Sequence, residues 1–241
     1  MAVYVQDARA LLTAYLAYID DVTYATATAG EKTAGLLALN AGYRRYLTGE
    51  YVNRSGDTVV HVWSFVEHAA QITLATSDDE YDLPDAYEGN IGEFTYDYNT
   101  KTVGEKLKAV DYDELLAMRR DNSQGGLPKY YCVRAKDFAA ATGSTYEWMC
   151  YPTPTATENA LTLSYRYRVA LADLTDSATV YPAGLVGCGD LIVQATRAIQ
   201  EWDTAGQDGS ETARFYRMMH EMVVRDKKLI PDRKRQHTIN L

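Results

Sequence analysis

Apolar residues near the start of the chain recur three and four positions apart, which is the spacing of one face of a helix. One such stripe covers residues 8–22, and a second covers residues 30–47. Gly49 follows the second stripe, and glycine often ends a helix because it readily adopts the left-handed conformation. The pattern therefore predicts two amphipathic helices, with the second ending at Gly49.

The same spacing returns near the other end of the chain. Apolar stripes at residues 188–202 and 215–229 predict two further helices, the first ended by Gly206 and the second by a nearby proline. We expect Asp208 or Ser210 to cap the last helix. Because four amphipathic helices cannot bury their stripes alone, we expect them to pack on one another.

Between these stripes the period of the apolar residues changes to two, which is the period of a strand. Residues 161–169 alternate strictly and predict a half-buried strand, with Arg166 and Arg168 on its outer face. A short helix is expected at residues 111–119. Alternation also predicts strands at residues 71–74 and 93–98, and weaker patterns predict strands at residues 59–65, 129–134 and 146–150.

These elements predict an α+β fold, in which a helical bundle is formed by the N- and C-terminal helices and an antiparallel β domain is inserted between them. The first part of the helical body is expected at residues 1–55 and its second part at residues 176–230. The inserted β domain, with its one short helix, is expected at residues 56–175. Residues 231–241 are left as a terminal tail.

The charge of the chain is unevenly distributed. The formal net charge is −9 over 241 residues, and an acidic surface disfavours general nucleic-acid binding because it repels phosphate. Residues 217–241 nevertheless hold seven basic and three acidic residues, so this segment is +4 and the remainder is −13.

The basic tail has three interpretations. It inserts into an acidic groove of a protein partner, contacts nucleic-acid phosphates, or is a solvated terminus. Apolar residues that follow the charges favour a docking peptide over a plain solvated end, and contact with DNA ranks below both interpretations. The candidate docking residues are Arg225, Lys227, Lys228, Arg233, Lys234, Arg235, Ile239 and Leu241.

Patterns typical of catalysis or metal binding are absent from the sequence. His220 and Glu221 do not continue to a second histidine four residues on, and His61 and His68 lack a ligand spacing. The three cysteines form no CxxC pair, so we expect buried thiols rather than a disulfide or a zinc site. We predict no catalytic residue, no metal and no cofactor.

Acidic residues cluster in one segment, at Asp78, Asp79, Glu80, Asp82 and Asp85. Their spacing matches neither a calcium loop nor a defined catalytic pair, which favours a solvated turn. No run of about 18 apolar residues is present, so no membrane span is predicted. The first residues do not resemble a signal peptide, and we expect the protein to be made and kept in a cytoplasm.

Tyrosine is unusually frequent, with 20 tyrosines against four phenylalanines. A tyrosine ring with its polar tip suits a subunit interface, and strands also favour this residue. The composition alone leaves both explanations open.

Residues 61–98, HVWSFVEHAAQITLATSDDEYDLPDAYEGNIGEFTYDY, resemble a segment of bacteriophage head-to-tail adaptor, or connector, proteins. In that family a Trp-Ser-Phe strand leads to an alternating strand, a Tyr-x-Leu-Pro-Asp turn and another aromatic strand. Residues 39–49, LNAGYRRYLTG, resemble its second helix, and residues 151–154, YPTP, resemble its Pro-rich turn. The family includes tail tubular protein A of short-tailed phages.

The resemblance implies a structural virion protein of the neck, assembled in the host cytoplasm. It implies a ring of twelvefold symmetry between the portal protein and a tail nozzle or tail tube protein. DNA would pass through the ring without sequence-specific binding, and no membrane would be involved. The last helix and the basic tail would reach the portal, so the docking residues above become portal-binding candidates.

By the same resemblance, Trp63, Phe65, Leu83 and Pro84 define the fold and are not reactive. Glu67-His68 departs from the basic residue and proline usual at this point, which leaves the loop conformation open. Two alternatives remain. One is another neck or tail-completion protein such as a tail terminator, and the other is a carbohydrate-active virion enzyme that uses the acidic cluster.

Overall fold

The computed structural model divides the chain into two compact units. The first unit is formed by Met1–Phe65 and Leu171–Leu241, and the second by Val66–Ala170. Both ends of the chain thus belong to one unit, and the middle of the chain forms the other. The residues that the structure describes are 6–19, 22–53, 55–97, 107–122, 124–139 and 143–229.

The fold is mixed α+β, as predicted. The helices within the described residues are α1 (Ala8–Ile19), α2 (Ala29–Thr48), α3 (Tyr112–Asp121), α4 (Cys188–Ala205) and α5 (Ser210–Leu229). The strands within the same residues are β1 (Glu50–Val52), β2 (Thr58–Val60), β3 (Glu67–Thr73), β4 (Glu80–Asp82), β5 (Tyr87–Asn90), β6 (Thr95–Tyr96), β7 (Lys108–Ala109), β8 (Tyr130–Ala139), β9 (Gly143–Tyr151) and β10 (Thr162–Val169). The helices predicted from apolar stripes are confirmed.

Local capping explains where the helices of the first unit begin and end. Thr28 and Glu31 form a capping box at the start of α2, each satisfying a backbone N–H of the other. Gly49 ends α2 with φ +68°, and Gly206 ends α4 with φ +66°. Both glycine stops are confirmed.

The predicted cap of α5 was wrong. Neither Asp208 nor Ser210 caps this helix, and the carboxylate of Glu201 on α4 takes that role. It accepts hydrogen bonds from the backbone N–H of Gly209 at 3.0 Å and of Thr212 at 2.9 Å. The free N–H groups at the start of a helix need an acceptor, and here the preceding helix supplies a charged one.

The helices of the first unit approach one another closely through glycines. A Cβ at Gly35 of α2 would lie 2.9 Å from the side chain of Leu12 on α1. A Cβ at Gly42 of α2 would lie 2.7 Å from the backbone nitrogen of Thr196 on α4. Residues 191–196 of α4 are all buried, which places α4 at the centre of the helical packing.

The second unit contains two four-stranded sheets. In one, β10 pairs with β3 on one side and with β5 and β6 on the other, and in the second the order is β4-β9-β8-β7. Only the β7–β8 pairing is parallel among the described strands. Trp148, Phe94 and Tyr165 lie in the core, and the ring centroids of Phe94 and Tyr165 are 4.6 Å apart. The predicted strand at residues 161–169 is confirmed as β10.

The strand predicted at residues 59–65 is partly wrong. Strand β2 ends at Val60, and Ser64–Val66 form a turn of 3₁₀ helix. Alternation over three residues suits either conformation, and tertiary contacts decide between them. The indole of Trp63 is buried and bonded to the backbone of α2, while Ser64 is bonded to α5.

Candidate docking site

The exposed end of α5 carries the first three of the predicted docking residues. Arg225, Lys227 and Lys228 are all exposed, and the side chain of Leu229 is 63% exposed. The other predicted docking residues lie outside the described residues, namely Arg233, Lys234, Arg235, Ile239 and Leu241.

Asp226 lies between these cations, but its side chain points inward and is 2% exposed. Its carboxylate lies 2.7 Å from Nε2 of His61 and accepts hydrogen bonds from the backbone N–H of Ser64 at 3.1 Å and from the Ser64 hydroxyl at 2.5 Å. We call Asp226, His61 and Ser64 the Asp226 anchor. Because a buried carboxylate requires hydrogen-bond donors, the anchor binds the end of α5 to the segment that follows β2.

His61 is itself held by the end of α2. Its backbone N–H donates to the carbonyl of Gly49 at 3.0 Å. A Cβ at position 49 would lie 1.9 Å from the carbonyl oxygen of His61, so no other residue type fits there without displacement. Gly49 is thus required both by its left-handed backbone and by this close approach.

Trp63 and Phe65, two of the predicted fold-defining residues, flank Ser64 in the first unit. The Nε1–H of Trp63 donates to the carbonyl of Tyr46 at 3.0 Å, and the indole is fully buried. The rings of Trp63 and Phe65 are stacked with centroids 5.6 Å apart, and Tyr46 contacts both. This aromatic cluster fixes the segment on α2, so that Ser64 can reach Asp226.

Leu83 and Pro84, the other two predicted fold-defining residues, belong to the second unit. Leu83 is buried in the core, and its N–H donates to the carbonyl of Tyr146 at 2.9 Å. The carbonyl of Pro84 accepts from the N–H of Tyr87 at 2.8 Å, which closes a turn between β4 and β5. Their contacts are backbone hydrogen bonds and core packing, which support a structural role.

The acidic cluster is engaged by cations of the second unit. Arg119 lies 3.2 Å from the carboxylate of Asp79 and 3.4 Å from that of Glu80. Lys136 lies 2.6 Å from the carboxylate of Asp82. These ion pairs tie β4 to α3 and β8, and they give three carboxylates of the cluster a structural explanation.

The cysteines of the described chain are buried, free thiols, as predicted. Burial raises the pKa of the Cys188 thiol to about 11 and raises that of Cys150 further. A thiol with a raised pKa is a poor nucleophile because little thiolate is present at neutral pH. Among the described residues, no three His, Cys, Asp or Glu side chains come together as a metal site.

A comparison with protein-family models matches residues 6–236 to the SU10 adaptor protein. The chain belongs to this family. The adaptor is therefore a bacteriophage protein with a structural role, a component of the virion that interacts with other head or tail proteins. No curated protein matches the adaptor. None of its described helices combines the length and apolar character that crossing a membrane demands.

Sequence reasoning missed the Asp226 anchor. In the sequence, His61 stands out only as a histidine without a ligand spacing, and Asp226 only as one of the charges of the basic segment. A signal was present, because Asp226 follows Met222 and Val223 by four and three residues and therefore lies on the buried stripe of α5. A carboxylate on an apolar stripe indicates a buried partner, although the spacing does not identify that partner.

Proposed function

We propose that this adaptor forms a ring of twelve copies between the portal and the tail, with DNA passing through its channel. In this proposal it is related to tail tubular protein A of short-tailed phages and assembles in the host cytoplasm. The bundled terminal helices form the body of the ring. The end of α5 and the basic tail bind the portal protein, and the second unit binds the tail nozzle or tail tube protein.

The observation that supports this proposal most directly is the fixed, exposed end of α5. The Asp226 anchor holds the helix end by three hydrogen bonds, while Arg225, Lys227 and Lys228 on either side face solvent. In the sequence, the basic tail follows this helix. A pre-ordered helix end lowers the entropy lost when a partner binds. A ring presents many copies of this helix end at once, and multivalent binding raises the overall affinity.

The net charge of −9 agrees with a channel for DNA. A ring of acidic subunits repels phosphate, so DNA can slide through without sticking. Sequence-specific contacts are not required for that role.

The test is electron microscopy of the purified adaptor mixed with the portal protein of the same phage. We expect ring-on-ring particles, with twelvefold symmetry in class averages. Deletion of residues 231–241 should abolish docking and leave the circular dichroism and thermal unfolding unchanged. Replacement of Arg233, Lys234 and Arg235 by glutamine is the matched variant, because it keeps the chain length and removes only the charge.

Two outcomes would contradict the proposal. An adaptor that stays strictly monomeric and does not bind the portal protein would contradict the proposed ring and its position. Docking that is unchanged by the deletion would show that the basic tail is not the portal-binding element.

A further inference from the structure

All five described cations of α5 are exposed and unengaged. Arg214, Arg217, Arg225, Lys227 and Lys228 have exposed side chains. None of them forms a hydrogen bond, ion pair or ring contact with another described residue. A group of unsatisfied cations on a single helix is available to an external anionic partner.

The other described cations of the first unit behave differently. Each is engaged by a carboxylate or lies over an aromatic ring of the same unit. The pairs are Arg9 with Asp176, Arg44 with Asp173, Lys32 with Tyr24, Arg45 with Phe215, and Arg197 with Tyr18. Positive charge is therefore satisfied internally across this unit and left unsatisfied along α5.

Four of the α5 cations form one continuous row. Arg214, Arg217, Arg225 and Lys228 follow the three- and four-residue spacing of one helix face, with Glu221 completing the row at its centre. The row lies opposite the buried stripe of Phe215, Met219, Met222, Val223 and Asp226. We call these four cations the basic face, and it extends for about 21 Å along the helix.

The surroundings of the basic face favour an acidic protein over nucleic acid. Val224 and Leu229, 39% and 63% exposed, lie on the outer surface of the same helix. Apolar side chains beside arginines suit a protein interface, whereas a phosphate backbone gives them no partner. The net charge of −9 also repels DNA at long range.

We propose that the basic face of α5 binds an acidic surface of the portal protein. The portal interface then extends back to Arg214, about three turns before Arg225, and the basic face strengthens a docking for which the basic tail is still required. This inference rests on the proposed function, since it names a second element of the same interface. Glu221, at the centre of the row, opposes binding by repelling the acidic partner.

The test compares charge variants of the full-length adaptor for binding to purified portal. Arg214→Glu with Arg217→Glu should weaken binding on the order of tenfold at low salt, and less at high salt because ions screen the interaction. The matched control is Arg120→Glu with Arg168→Glu, which changes the net charge equally at exposed positions of the second unit. Glu221→Gln should strengthen binding, a gain that misfolding cannot produce.

The inference would be overturned if Arg214→Glu with Arg217→Glu binds the portal as tightly as the control pair does. A loss of affinity for double-stranded DNA with portal binding unchanged would also overturn it, since the basic face would then be a nucleic-acid surface. The proposed function fails separately, if the wild-type adaptor does not bind portal or if deletion of residues 231–241 leaves docking intact. If deletion of residues 231–241 abolishes docking and the charge reversal at Arg214 and Arg217 does not weaken it, only the inference is refuted.

Discussion

Nε2 of His61 lies 2.7 Å from the carboxylate of Asp226, although 165 positions separate the two residues in the chain. Both side chains are buried, with His61 9% and Asp226 2% exposed. The contact joins the segment after β2 to the last turn of α5. The end of the last helix is therefore positioned by residues from the first part of the chain, which ties the exposed cations beside it to the core of the unit.

Removal of the Asp226 carboxylate should destabilise the fold strongly. Asp226→Ala removes the shared partner of His61 Nε2 and of both Ser64 donors at a buried position. We expect the free energy of unfolding to fall by about 3 kcal/mol. Urea unfolding followed by circular dichroism measures the change.

Glu221→Ala is the matched control for this substitution. Glu221 is a carboxylate on the exposed side of the same helix, so its removal should change stability by less than about 0.5 kcal/mol. Equal effects of the two substitutions would mean that the Asp226 anchor contributes nothing to the fold.

Gly49 and Gly206 allow the cost of close packing to be separated from that of the backbone conformation. Both have a positive φ, +68° and +66°, and each ends a helix. A Cβ at Gly206 meets nothing within 4 Å, whereas one at Gly49 lies 1.9 Å from the carbonyl oxygen of His61. Gly206→Ala should destabilise by about 1 kcal/mol and Gly49→Ala by about 3 kcal/mol. Similar unfolding midpoints for the two variants would contradict this role of His61.

The helices of this fold could be predicted from the sequence because their apolar spacing is local and their stops are glycines. The Asp226 anchor could not, because its partners are brought together only by folding. Asp226 shows its burial through its position on the α5 stripe, but nothing local connects it to His61. Trp63 shows a related limit of sequence-based prediction. The alternation around it over three residues is compatible with a strand, and the hydrogen bond from its indole to the carbonyl of Tyr46 forms only on folding.

Thiol labelling should report the burial of the cysteines. Cys188 is 6% exposed, and burial raises its pKa to about 11, so little thiolate is present at pH 8. We expect an aromatic disulfide reagent to label the native adaptor slowly and to label all three cysteines at once in denaturant. Rapid stoichiometric labelling of the native protein would show that the thiols are accessible.

Glu201 should make the start of α5 sensitive to acid. Hydrogen bonds from Thr212, and also from the N–H groups of Glu211 and Gly209, lower the pKa of Glu201. A carboxyl with a lower pKa in the folded state stabilises the fold above its unfolded pKa of about 4.3, and this stabilisation is lost as pH falls through the folded value. Glu201→Gln should therefore destabilise the adaptor at pH 7, by an amount that shrinks toward pH 3.

Other carboxyl groups also titrate in this range, so the informative quantity is the stability difference between wild type and variant at each pH. Lowered pKa values at Asp97 and Asp176 affect both proteins equally and cancel in that difference. Glu221→Gln is the control, since Glu221 is exposed and accepts no hydrogen bond from a described residue. Thermal unfolding from pH 7 to pH 3 should show a difference for Glu201→Gln that is larger than that of the control at pH 7 and shrinks as pH falls. A constant difference at Glu201 would mean that its charge does not cap α5, and that the neutral hydrogen bonds alone order the helix start.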